Sequence, residues 1–68
     1  MMRKLGIVKE VGKGYCIIVD KELKEYTGLE EDMIDKVAVK DAVSFEGELK
    51  EKGDFKLLRA FFIRKIEK

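Results

Sequence analysis

The side chains in this chain best suited to chemistry are its carboxylates, its one thiol and its lysines. Glu30, Glu31, Asp32 and Asp35 lie close together, dense enough to raise a metal site or an acid–base pair. Their spacing lacks the glycine of a calcium loop, and no second constellation completes an active site. They read as a solvated acidic connection. Cys16 is the only cysteine and histidine is absent, so neither an activated thiolate nor a Cys/His zinc set can be assembled. No enzyme, metal or cofactor is expected. What remains is binding: Lys9, Lys13, Tyr15 and Ile17 share one short stretch, where cations that could meet phosphate flank a ring that could stack on a base. Arg59 and Phe62 offer the same pair of residue types near the other end. The plainer use of each is a solvated cation or a rim aromatic covering the edge of the core.

Positioning these residues falls to short β-branched runs. Leu5 to Val11 and Tyr15 to Asp20 read as strands, and the glycines around Lys13 turn the chain between them, making the first hairpin of a small barrel. Alternation puts Cys16 and Ile18 on the inner face and Tyr15, Ile17 and Val19 on the outer one. Gly6 suggests a bend or a close backbone approach. Tyr26 to Leu29 reads as a short third strand weakened by Gly28, followed by an acidic connection containing a helical turn. A continuous helix from Lys21 to Ile34 competes with that reading, and Thr27-Gly28 at its centre disfavours it. Ala42 to Leu49 is a fourth strand, Glu51 to Asp54 a turn, and Phe55 to Ile66 the last strand. Five strands at this spacing predict an all-β, five-stranded antiparallel barrel. The expected core is Val8, Ile18, Val43, Phe45, Phe55, Leu57, Phe61 and Ile63, with Phe61 and Phe62 pointing opposite ways.

A chain of 68 residues holds one domain, spanning residues 1–68, at a size where only about 60% of the unfolded surface is buried. The lone cysteine precludes an internal disulfide and fits a reducing, cytoplasmic setting. No apolar run reaches the roughly 20 residues needed to cross a bilayer, and no signal-peptide pattern is seen at the N-terminus. Charged residues make up 43% of the chain but sum to +1, so a broad basic footprint is absent and only a local patch could attract nucleic acid.

The order of these segments resembles the cold-shock domain, a small five-stranded OB-fold family that binds single-stranded RNA and DNA. Gly6-Ile7-Val8-Lys9-Glu10-Val11 resembles the family's opening Gly-x-Val-Lys-x-Phe, and Lys13-Gly14-Tyr15-Cys16-Ile17-Ile18 its first RNA-binding motif. Val39 to Phe45 is similar to its entry into strand four, and Ala60-Phe61-Phe62-Ile63 to its closing Ala-x-Asn-Val. The resemblance implies an OB-fold-like barrel that takes single-stranded nucleic acid, RNA somewhat ahead of DNA, by stacking and phosphate contact with little base specificity. The residues implied are Lys9, Lys13, Tyr15, Ile17, Arg59 and Phe62. The chain departs from the family where Glu10 stands at a tryptophan position, where Ile17 replaces a ring, and where Tyr26-Thr27-Gly28-Leu29 is all that remains of the second motif. An exchanged ligand is the alternative: a protein partner, or a second copy in a homodimer, on the same face. Charge around Tyr15 separates the two, basic for nucleic acid and apolar with a carboxylate rim for protein.

Overall fold

The computed structural model describes residues 2–66. Five strands form: β1 (Met2–Gly12), β2 (Tyr15–Asp20), β3 (Glu25–Leu29), β4 (Ala42–Lys52) and β5 (Phe55–Lys65), with a single 3-10 turn at Glu30–Asp32. They make one sheet in the order β1-β2-β3-β5-β4, and β4 pairs back onto β1, so the sheet closes in a ring. Four of the five pairings are antiparallel, as expected. The closure of β3 on β5 is parallel, through Thr27 opposite Arg59, because the connection after β3 crosses to β4 before β5 returns. Among the described residues no helix is long and apolar enough to cross a membrane.

The predicted strands appear with longer ends on β1 and β4, and the competing helix over Lys21–Ile34 does not form. Tyr26 and Gly28 instead alternate into the interior as strand residues. A Cβ at Gly28 would overlap Ile63 Cδ1 and crowd Cys16 Sγ, so the glycine that weakens a helix is what lets β3 lie close over the core. Before β3 the chain turns at Lys21–Lys24 around Asp20. The backbone N–H groups of Glu22 and Lys24 donate to Asp20 Oδ1 at 2.9 and 3.0 Å, and Lys4 Nζ stands 3.7 Å from Oδ2. Burial alone would raise the Asp20 pKa. The two N–H donors, with Lys4 and Lys24, outweigh it and hold the carboxyl below its usual range.

Phe45 lies at the centre of the core, with the Tyr26 ring 5.0 Å away and tilted by 58°, among fully buried Val8, Cys16, Ile18, Val43 and Ile63. Gly6 makes the close approach foreseen for it, since a Cβ there would stand 2.6 Å from Ile18 Cγ2 and 2.8 Å from the Val19 carbonyl. Three expected core residues, Phe55, Leu57 and Phe61, lie outside it. The last β1 pairing along β4 is Met2 with Gly47, and β3 reaches β5 only at Arg59. Residues 48–58 therefore extend as a two-stranded arm in which, among the described residues, β4 and β5 pair only with each other. The arm gives the molecule its elongation of 40 × 25 × 18 Å.

Two bulges interrupt the alternation. On β1 the register slips between Val8–Ile18 and Glu10–Ile17, so Lys9 is the extra residue, and Lys9 and Glu10 both face solvent. On β5 the slip lies between the Ser44–Arg64 and Glu46–Phe61 pairs, which sets Phe45 opposite both Phe62 and Ile63. Phe62 takes a φ of 51° there, a left-handed conformation that costs a bulky residue about 1–3 kcal/mol. The bulge overturns the expectation that Phe61 and Phe62 point opposite ways. Ala60 and Ile63 are both buried, and the two phenylalanines between them both stay out of the core.

Candidate functional site

Cross-strand register sets out the outer face of β1, β2 and β3. Glu10 pairs with Ile17, Ile17 with Thr27 and Thr27 with Arg59, so one row of side chains crosses four strands. Beside it runs a second row, Gly12–Tyr15–Leu29. Because Cys16 and Ile18 are fully buried, Tyr15, Ile17 and Val19 must face outward, and each is half-buried. The alternation read from the sequence therefore describes β2 correctly.

Tyr15 is held in place on this face. Its ring covers Gly12, where a Cβ would fall among the ring atoms, and its hydroxyl donates to Glu10 Oε2 at 2.5 Å. That hydrogen bond, with the negative charge of Glu10, pushes the Tyr15 phenol above its ordinary pKa. Lys9 Nζ donates to Glu25 Oε2 at 2.7 Å, which raises the ammonium pKa. Arg59 Nη2 donates to Asp32 Oδ2 at 2.6 Å, and the guanidinium carbon lies 4.9 Å from the centre of the Phe61 ring. Asp32 also accepts the Leu29 N–H at 3.1 Å, so the 3-10 turn is stitched to the end of β3.

Of the six residues singled out in the sequence, Lys9, Tyr15, Ile17 and Arg59 share this continuous face. Lys13 stands at its end, exposed on the β1–β2 turn and, among the described residues, paired with no carboxylate. Phe62 is half-exposed but sits elsewhere, beyond the β3–β5 bridge. There β5 runs against the 34–35 segment, whose N–H groups reach Ile63 O at 2.8 and 3.3 Å. Thr27 and Leu29 complete the surface, and Asp32 holds its arginine. Only strand pairing places Thr27 and Leu29 on this face, because the short glycine-containing β3 carries little signal of its own, and Asp32, in the turn after it, reads in the sequence only as part of the acidic connection.

The face is not basic. Lys9 and Arg59 each sit on a carboxylate, and Glu10 holds the tyrosine. The middle of the surface is mainly aliphatic, formed by Ile17, Val19 and Leu29 around Thr27. Two of the other chemical candidates, Cys16 and Asp35, are taken up by the fold. Burial pushes the Cys16 thiol up in pKa, against the opposing pull of a backbone hydrogen bond at Gly28. Asp35 accepts the Lys65 N–H at 2.9 Å. Among the described residues no three carboxylate or thiol groups converge as metal ligands would. Next to Tyr15, an open cleft of about 500 Å³ separates the β1–β2 turn from residues 30–37. No protein-family model matches the chain, and no curated protein matches it either.

Proposed function

We propose that the chain is a cold-shock-like OB domain that binds single-stranded nucleic acid without chemistry, RNA somewhat ahead of DNA. The observation that carries this reading is the row Ile17–Thr27–Arg59 with Tyr15 beside it, an outward surface crossing β2, β3 and β5. OB domains use the strand 2–3 face for oligonucleotides, and bases stack there on rings and apolar surface without regard to sequence. The ring order β1-β2-β3-β5-β4 with its parallel β3–β5 closure supports the OB assignment. In this reading Tyr15 and Ile17 carry bases, while Lys13, Lys9 and Arg59 meet phosphates. Lys9 and Arg59 do so only by exchanging Glu25 and Asp32 for a phosphate. Phe62 stands apart from the row and has at most a secondary part.

A protein partner, a second copy of the chain included, is the second reading. It is favoured by one observation, the cancelling of charge on this face by Glu10, Glu25 and Asp32. An amide NMR titration with a pyrimidine-rich RNA hexamer and its DNA counterpart, at low and physiological salt, tests between them. Salt-sensitive shifts centred on Lys9, Tyr15, Ile17 and Thr27 are expected, with Tyr15→Ala weakening binding about tenfold. Silence at those residues at millimolar oligonucleotide would overturn the nucleic-acid reading, and a concentration-dependent molar mass would then favour the second copy.

A further inference from the structure

Val11 presents a contradiction that the fold alone does not resolve. It pairs with Cys16, which points into the core, yet Val11 is 42% exposed. The reason is that the ring ends here. Val11 faces the open cleft beside Tyr15, about 500 Å³ in volume, whose far side is formed by Met33 and Val37. The cleft lies in the size range of small-ligand pockets, about 300–1,000 Å³. Its two walls are tied at a fixed distance, since the Glu30 N–H donates to Gly14 O at 3.0 Å. Three charged side chains border it: Glu30, Asp35 and Lys36.

We infer that this cleft receives one unpaired base of a bound single strand and that it prefers guanine. The inference rests on the nucleic-acid reading of the neighbouring face, because Tyr15 belongs to both. A planar ring entering the cleft beside Tyr15 would cover Val11, 42% exposed, and reach Met33, which is half-buried beside the buried Val37. Carboxylates accept hydrogen bonds and cannot donate them. They therefore select a base edge made of donors and turn the phosphate away. Guanine sets N1–H and N2–H side by side, matching one carboxylate with two bonds. Adenine and cytosine offer an amino group beside a ring nitrogen acceptor, and uracil offers one N–H between two carbonyls. Glu30 is the acceptor with no side-chain hydrogen bond of its own among the described residues, whereas Asp35 already serves the Lys65 N–H. Lys36, which has no carboxylate partner among the described residues, is left for the adjoining phosphate.

The test compares rU6 with the same hexamer carrying one guanine at either end, and with GMP alone. Methyl shifts of Val11, Met33 and Val37 report the cleft, and amide shifts of Ile17 and Thr27 report the sheet face. The expected result is binding about tenfold tighter for a guanine-containing hexamer, the order of one good bidentate base contact, with methyl shifts in the cleft. Glu30→Gln should remove that gain, and Val11→Phe, which fills the cleft with an apolar ring, should remove the methyl response. Equal affinity for the hexamers, with shifts at Ile17 and Thr27 only, would overturn the cleft and leave the sheet face standing. Methyl shifts with GMP but no response of the face to any hexamer would support the cleft and overturn the reading it rests on. Silence throughout would overturn both.

Discussion

The outward side chains of β1 to β3 and those of the β4–β5 arm follow the same alternation, yet they live in different surroundings. On the ring, Lys9, Tyr15 and Arg59 each find a partner on another element, at 2.7, 2.5 and 2.6 Å, Lys9 reaching across β2 to β3. On the arm, Phe55 and Leu49 are 55% and 49% exposed, and the one ion pair among the described residues, Lys50 with Glu48 at 2.7 Å, joins residues of a single strand. The difference comes from closure. A strand inside the ring has neighbours on both edges and a core beneath it, whereas a ribbon extending past the ring has one neighbour and no core. Alternation reveals which residues share a face, but only closure decides whether that face is covered.

Substitution of the two phenylalanines makes the sharpest contrast. Phe45→Ala should destabilise the fold by about 3–5 kcal/mol, as for a fully buried ring, while Phe55→Ala should stay within about 0.5 kcal/mol, as for an exposed position. Urea denaturation measures both, and a large loss at Phe55 would mean that the arm is covered in solution. Asp20→Ala comes next. It removes a buried acceptor from two backbone N–H groups at the ring's edge, for a loss of about 1.5–3 kcal/mol at neutral pH. The folded carboxyl titrates below its ordinary value of 3.8. Its stabilisation is therefore complete above that value and disappears as pH falls through the lower folded one, so the native chain and Asp20→Ala should converge in acid. A constant difference at every pH would show that the charge on Asp20 does not contribute.

The smallest effect concerns the ring's outer face. Glu10 holds the Tyr15 phenol above its ordinary 10.0, so the neutral phenol is the favoured form, and the benefit persists until pH rises through the raised value. Glu10→Gln should bring Tyr15 ionisation back toward the ordinary value, followed through its ring carbon shifts in an alkaline NMR titration. No change would mean that the tyrosine does not use Glu10 in solution.

Much of the ring was legible in the sequence, because β-branched and aromatic residues fill β2 and, in the first half of β4, apolar residues recur at every second position. The limits of that reading fall at identifiable residues. Lys9 and Phe62 each add one residue to a strand, and nothing in their chemistry announces it; a phenylalanine with positive φ is the opposite of what local preference suggests. Phe55 and Leu57 look like core because they carry core residue types, and only the extent of pairing on the neighbouring strands places them outside. For the candidate site, alternation places Tyr15 and Ile17 together on the face opposite Cys16 and Ile18, and the barrel register makes that face the outer one. The carboxylates that occupy Lys9 and Arg59 could not be foreseen, since Glu25 and Asp32 come close only when β2 pairs with β3 and β3 with β5.

Those occupied cations also change how this surface would respond to ionic strength. A free lysine that meets a phosphate displaces a condensed counterion, and each such contact on a single strand contributes about 0.7 to the slope of log affinity against log salt. At Lys9 and Arg59 the group displaced would be Glu25 or Asp32, counterions covalently attached to the protein and unaffected by dilution. Salt loosens the internal pair along with the phosphate contact, so the two effects oppose each other. If the face binds a strand as proposed, the slope should therefore lie well below the number of cations touched, with Lys13 and Lys36 supplying most of it.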